Sequence, residues 1–258
     1  LSAQEVAQGY KAVKERSAIV RFKVVGEDAY FLAWTTTPWT LCSNIALCVN
    51  PDETYARVKA ADGFTYIMAK ALLDKVLGGI EREEGTPAYE IIEEYKGKDL
   101  EYKEYEALYP VETKKKAYYV VCDSYVTMTD GTGVVHIAPA FGEDDARVGR
   151  KYDAPFVQMV DEAGVMKPET PFAGMRAKPT KKEMEAGAIN CDVEVLKELE
   201  GRGILFSAPK VEHEYPHCWR CDTPLIYYAR ESWFIKMTEV KDQLIANNNT
   251  VNWVPKSI

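Results

Sequence analysis

No apolar run in this sequence approaches the roughly 18 residues a membrane span requires, and no secretory leader is visible. The six cysteines carry no disulfide pattern: Cys42, Cys48, Cys122 and Cys191 are scattered singly, and only Cys218 and Cys221 form a close pair. These absences suit a protein of the reducing cytoplasm, without membrane attachment. There is no internal repeat, low-complexity tract or Walker-type phosphate loop. Basic residues are in the minority, 32 Lys and Arg against 40 Asp and Glu, and the formal charge of −8 argues against strong independent binding of nucleic-acid phosphate. Lys114, Lys115 and Lys116, and the trio Lys178, Lys181 and Lys182, are local exceptions that read first as solvated loops. What is present suffices for one large folded domain, 258 residues with 47% hydrophobic side chains.

The most informative segment is Trp34-Thr35-Thr36-Thr37-Pro38-Trp39-Thr40-Leu41-Cys42-Ser43-Asn44-Ile45. Before it lie two short runs rich in Val, Ile, Phe, Tyr and Trp, Ala18 to Val25 and Ala29 to Trp34, separated by Gly26-Glu27-Asp28 as in a hairpin. Threonine is a good strand residue, so three of them alone would be ordinary β propensity. Pro38 changes that reading, because it lacks an N–H, fixes its own φ and confines Thr37 to extended conformations. The strand should stop here, with four threonines and Asn44 lining one pocket.

Asp130 to Asp145 repeats the logic: a Gly-containing turn, a β-branched strand from Thr132 to Ile137, a stop at Pro139 and an acidic helix start. Glu143 and Arg147 are spaced i,i+4 and can pair on the solvent face. Asp145 shares its face with Val148 and Gly149, yet Asp144 also neighbours Val148, so periodicity does not choose between them. An inward carboxylate needs a cationic partner or several donors.

Elsewhere Phe64 to Ala69 and Lys116 to Cys122 read as strands, and Lys70 to Leu77 and Asp192 to Arg202 as helices, the latter with a core stripe of Val195, Leu196 and Leu199. Glu81 to Glu112, Tyr-rich and heavily charged, suggests exposed strands and loops. Strands mixed with a few short helices, without steady βαβ alternation, imply an α+β domain on a curved or barrel-like sheet.

The threonine segment, GTGVVHIAPAFGEDD and HEYPHCWRCDTPLIYYARESWF together resemble isoleucyl-tRNA synthetase, in the editing insertion of its catalytic domain, in family order across nearly the whole chain. The related valyl and leucyl enzymes carry an arginine in the threonine motif, of the TTRPET or TTRPDT type, where this chain has Thr37-Pro38-Trp39-Thr40. One departure is Cys42, where the family usually has proline. The resemblance implies hydrolysis of mischarged tRNA, chiefly valine on isoleucine tRNA. A methylene is worth only about 1–3 kcal/mol in an apolar pocket, isoleucine against valine being a standard example of that limit, so a second, smaller sieve is needed. It implies that Asp145 holds the α-ammonium of the ester and that His136 forms the sieve wall. Thr35, Thr36 and Thr37 would position ester and water, with Thr40 and Asn44 as polar neighbours. A histidine on a strand is otherwise ordinary core. The lack of a Ser-His-Asp or Cys-His signature agrees, because an aminoacyl ester is already activated and needs a positioned water more than a covalent intermediate.

The same resemblance implies an editing core over 16–208, with 1–15 and 209–258 as stem segments. The partners expected are the charged 3′ end of tRNA(Ile) and the rest of a parent synthetase, the piece itself being a monomer. No cofactor is expected here, ATP and Mg serving the synthetic domain alone. Cys218-Trp219-Arg220-Cys221 is half a zinc site, and His217 beside Cys218 is poorly spaced to complete it, so no metal is expected in this chain. Family members can carry another CxxC just upstream. Two other classes remain open: a non-catalytic tRNA-docking module and a zinc-dependent interaction module.

Overall fold

The computed structural model describes residues 2–255, in two compact units, one through Tyr228 and one from Ala229. In the first unit the strands are β1 (Tyr10–Arg16), β2 (Ala18–Lys23), β3 (Tyr30–Thr35), β4 (Ala46–Val49), β5 (Thr54–Ala60), β6 (Thr65–Ala69), β7 (Tyr89–Lys96), β8 (Tyr119–Cys122), β9 (Val134–Ile137), β10 (Leu205–Ser207) and β11 (Lys210–Pro216). The helices are short: α1 (Ala3–Ala7), α2 (Leu73–Leu77), α3 (Glu143–Lys151), α4 (Lys181–Glu185) and α5 (Cys191–Gly201). The second unit carries α6 (Lys241–Asn248), and every described residue from 229 to 255 is exposed.

β1 and β11 form their own antiparallel ladder, Tyr10 opposite Pro216 through Arg16 opposite Lys210. The other strands make a mixed nine-stranded sheet that forks at β3. One edge of β3 pairs with β2 along its whole length; the other pairs with β6 at Tyr30 and Phe31 and with β9 at Trp34. β9 continues to β4, and β4 to β8. The circuit then returns to β2 through residues 102–106. Tyr105 N–H donates to Tyr118 O (3.0 Å), Val25 N–H to Glu104 O (3.0 Å) and Glu106 N–H to Lys23 O (2.8 Å). The expected α+β, barrel-like sheet is therefore what forms. Closure of this kind satisfies backbone groups that an open edge would leave to solvent.

The reading of 81–112 as exposed needs correction in its second half. β7 is an exposed strand, but Leu100, Tyr105 and Leu108 are buried, Tyr105 donating its hydroxyl to Asn44 Oδ1 at 2.7 Å. The tyrosine that looked like surface is a wall of the barrel.

Side chains alternate across β4 and β9 with a period of two. Leu47, Val49 and Val134 enter the larger core, whereas Ala46, Cys48 and Ile137 meet Val148 of α3 in a smaller one. The α5 stripe of Val195, Leu196 and Leu199 is buried as expected. Gly133, before β9, has φ +70°, and a Cβ there would lie 2.3 Å from Ala69 Cβ. Gly133→Ala should therefore cost about 2–4 kcal/mol, left-handed backbone and overpacking combined, as a shift of the denaturant midpoint.

Candidate functional site

β3 ends at Thr35, and Pro38 opens a buried 3₁₀ turn, Pro38–Ser43, as the proline required. The hydroxyls bond to one another in a row. Thr35 Oγ1 lies 3.4 Å from Thr37 Oγ1, which lies 3.3 Å from Thr40 Oγ1. The single Thr40 proton goes to the Thr37 carbonyl (2.7 Å), so the 3.0 Å contact with His136 is made by Nε2–H donating to Thr40. His136 Nδ1 then carries the lone pair and is buried, without a partner among the described residues. Burial pushes the imidazole down to about 4, so it is neutral at physiological pH.

Two residues expected in this row lie elsewhere. Strand alternation turns Thr36 to the other side, into a cleft of about 550 Å³ that it lines with Trp34, Lys75, Asp130 and His213. Asn44 is buried and committed, donating to Ala46 O (2.9 Å) and accepting from Tyr105. Of the four threonines and Asn44 expected together, the structure brings Thr35, Thr37 and Thr40 into one row with His136 and places Thr36 and Asn44 outside it. Cys42, the departure from the family pattern, is buried, and burial raises its thiol far above the usual range.

The acidic helix start resolves the ambiguity between Asp144 and Asp145. Arg147 turns to Asp123 (2.8 Å) and Asp144 (2.9 Å), not to Glu143 as its spacing suggested. Asp145 turns inward and accepts the N–H of Ala138, at the end of the His136 strand, at 3.2 Å. Among the described residues it has no ion pair. Burial, then the charge of Asp144, pushes its carboxyl up to about 7 against the Ala138 bond. The two segments also meet through Trp39 and Phe141, edge to face at 4.9 Å.

The Asp145 shift has a stability consequence. Below about pH 4 folded and unfolded chains both hold the proton; as pH rises towards 7 the unfolded chain releases it first, so stability falls through that window. Asp145→Asn keeps a carbonyl acceptor for Ala138 and removes the ionisation. It should be the more stable protein at pH 8, by on the order of 1–3 kcal/mol, with a smaller gap at pH 5 in denaturant titrations.

Several groups escaped the sequence reading. The buried Tyr125 hydroxyl feels the Asp145 charge, and among the described residues neither it nor Trp39 Nε1 has a hydrogen-bond partner. Asp192, read only as the start of a helix, accepts the backbone N–H of Trp39 at 3.0 Å. Lys178, read as part of a solvated basic loop, is buried between Glu15 and Asp192, 2.8 Å from each. No local pattern could announce these, since the partners of Asp192 and Lys178 are separated by 14 to 163 residues of chain. In the remaining basic cluster Lys115 pairs with Asp153 and Lys116 with Glu104. Cys218 and Cys221 sit on a turn closed by Cys218 N–H to Thr223 O (2.8 Å); among the described residues no three His, Cys, Asp or Glu are grouped to hold a metal. No helix among them is long and apolar enough to cross a membrane.

Comparison with known proteins agrees with the motifs. The chain is 48% identical over its full length to an isoleucine–tRNA ligase of Clostridium novyi and 46% identical to that of Clostridium acetobutylicum, spanning 23% of each protein. Among solved structures, the Plasmodium falciparum cytosolic leucyl-tRNA synthetase editing domain matches with a TM-score of 0.46 at 13% identity, over 72% of this chain and 85% of that one. The model of the class I tRNA synthetases (I, L, M and V) matches residues 3–258, and the chain belongs to that family.

Proposed function

We propose that this chain is the post-transfer editing part of a longer isoleucine–tRNA ligase and hydrolyses mischarged aminoacyl-tRNA, chiefly valine on tRNA(Ile). The observation that carries the reading is Asp145: an inward carboxyl without a cationic partner among the described residues, bonded to the end of the strand that bears His136. The α-ammonium of an aminoacyl ester supplies the missing cation. Once it is bound, the carboxylate is the favoured form and the ester carbonyl is oriented toward the threonine row. Thr35 and Thr37 offer hydroxyls for a water and for the developing oxyanion, while Thr40, its proton on the Thr37 carbonyl, anchors the row to His136, and Thr36 and Asn44 lie outside it. Water adds to the carbonyl carbon, the bond to the ribose oxygen breaks, and that oxygen takes up a proton. His136 bounds the side-chain end of the pocket. Its neutral ring suits a wall facing an apolar side chain.

On this reading 16–208 is the editing core and 1–15 and 209–258 are stem segments, working as a cytoplasmic monomeric module. The charged tRNA terminus and the parent synthetase are its partners, and no cofactor takes part. The test is discharge of valyl- against isoleucyl-tRNA(Ile) by the 258-residue chain at high concentration. Selective loss of valine is expected. A folded chain that binds the charged terminus and discharges neither ester would overturn the reading in favour of a docking module, and stoichiometric zinc required for that binding would favour the interaction module.

A further inference from the structure

The 3₁₀ turn that carries the threonines is capped from a distance. A helical turn leaves its first N–H groups without partners, and the residue before it commonly supplies a side-chain acceptor. Thr37 stands at that position, with φ −126° and ψ 73°, and makes no such bond. Its hydroxyl joins Thr35 and Thr40 instead. Pro38 has no N–H to satisfy, so the first donor is Trp39 N–H, and Asp192 Oδ1, from the first turn of α5, accepts it at 3.0 Å. The other Asp192 oxygen binds Lys178 Nζ at 2.8 Å, and Lys178 lies 2.8 Å from Glu15 of β1 and over the Tyr215 ring of β11 at 4.9 Å. Asp192 and Lys178 are 7% and 8% exposed, which makes this a built internal pair and not a surface contact. Burial raises the Asp192 carboxyl above its ordinary range, and the Lys178 charge and hydrogen bond oppose that rise, so Lys178 offsets part of the cost of a carboxyl group at that depth.

We propose that Asp192, balanced by Lys178, is a positioning residue for ester hydrolysis: it caps the threonine turn in place of Thr37 and so leaves the Thr37 hydroxyl to the row that ends at His136. This rests on the hydrolytic reading above. The competing uses of Thr37 are exclusive, because a hydroxyl turned to cap Trp39 leaves the row between Thr35 and Thr40.

Two double variants separate capping from charge. Lys178→Met with Asp192→Asn removes both charges but keeps an acceptor for Trp39; Lys178→Met with Asp192→Leu removes the acceptor as well. For valyl-tRNA(Ile), the asparagine variant should keep kcat within about 3-fold of wild type, whereas the leucine variant should lose about 10- to 100-fold in kcat with little change in KM. Discrimination against the isoleucyl ester should fall with it, and the Trp39 amide should exchange faster with solvent. If the leucine variant does not fold, Lys178→Met with Asp192→Ser, whose hydroxyl is too short to reach Trp39, takes its place. Equal kcat in the two folded variants would overturn the proposal while leaving the hydrolytic reading intact. Wild-type protein that discharges neither ester would overturn that reading, and this proposal with it.

Discussion

Asp145→Ala is expected to lower kcat/KM for valyl-tRNA(Ile) by about 10²- to 10³-fold, the scale of a lost charged hydrogen bond to an oriented substrate. The fold should persist, because the carboxyl has a single described protein donor, Ala138 N–H. Asp145→Asn sharpens the result. It keeps that bond and should gain stability at pH 8, yet it presents no charge to an ammonium and should be nearly as inactive as the alanine variant. Stability and activity moving in opposite directions would mark the carboxylate as held for its ligand and not for the fold. The pH profile gives an independent check. With the carboxyl pushed up to about 7, the unliganded site is only part ionised at neutral pH, so kcat/KM should rise between pH 6 and 8 and level off above. In the alanine variant that rise should vanish. A variant that retained full discharge of valine would remove Asp145 from the site altogether.

The sequence was legible where chemistry and local geometry coincide. Pro38 stopped β3 where expected, the Gly26 turn made the β2–β3 hairpin, and the acidic run at Glu143 began α3. It was illegible where one backbone position serves two long-range partners. Residues 102–106 close the barrel without a strand-like pattern, since they bridge two segments far away in the chain, residues 118–120 on one side and 23–25 on the other. Tyr105, in a charged stretch, reads as surface until β2 and β8 enclose it. The fate of Thr36 was available in principle: next to Thr35 at a strand end, a period of two sends it to the opposite side. Grouping it with its neighbours followed the motif instead of the pleat. Asn44 illustrates the other limit, for an asparagine beside a site and an asparagine bonded into the core look alike until Tyr105 is placed. The Asp192–Lys178 pair required the fold itself, because its contact with Trp39 spans 153 residues.

His136→Ala tests the remaining part of the site, its selectivity. The ring is 6% exposed, neutral, and fixed by one bond to Thr40, while Nδ1 has no partner among the described residues. Such a group contributes volume and orientation, not charge. Truncation opens space at the end of the pocket, and a second-sieve argument then predicts a gain of function. Discharge of isoleucyl-tRNA(Ile) should rise by about 10- to 100-fold, because a methylene no longer excluded sterically changes binding by about 1–3 kcal/mol. Discharge of valine should fall by much less. Some of that fall is structural: Thr40 loses its donor, and the cavity costs about 2–4 kcal/mol of stability, which a denaturant midpoint would register separately. The competing role is acid–base catalysis, and it has a distinct signature. A catalytic imidazole would put its own titration, about 4, on the wild-type rate, and its removal would slow both esters alike. Parallel losses of two or more orders of magnitude, with no gain for isoleucine, would move His136 from the wall of the sieve to the reaction itself.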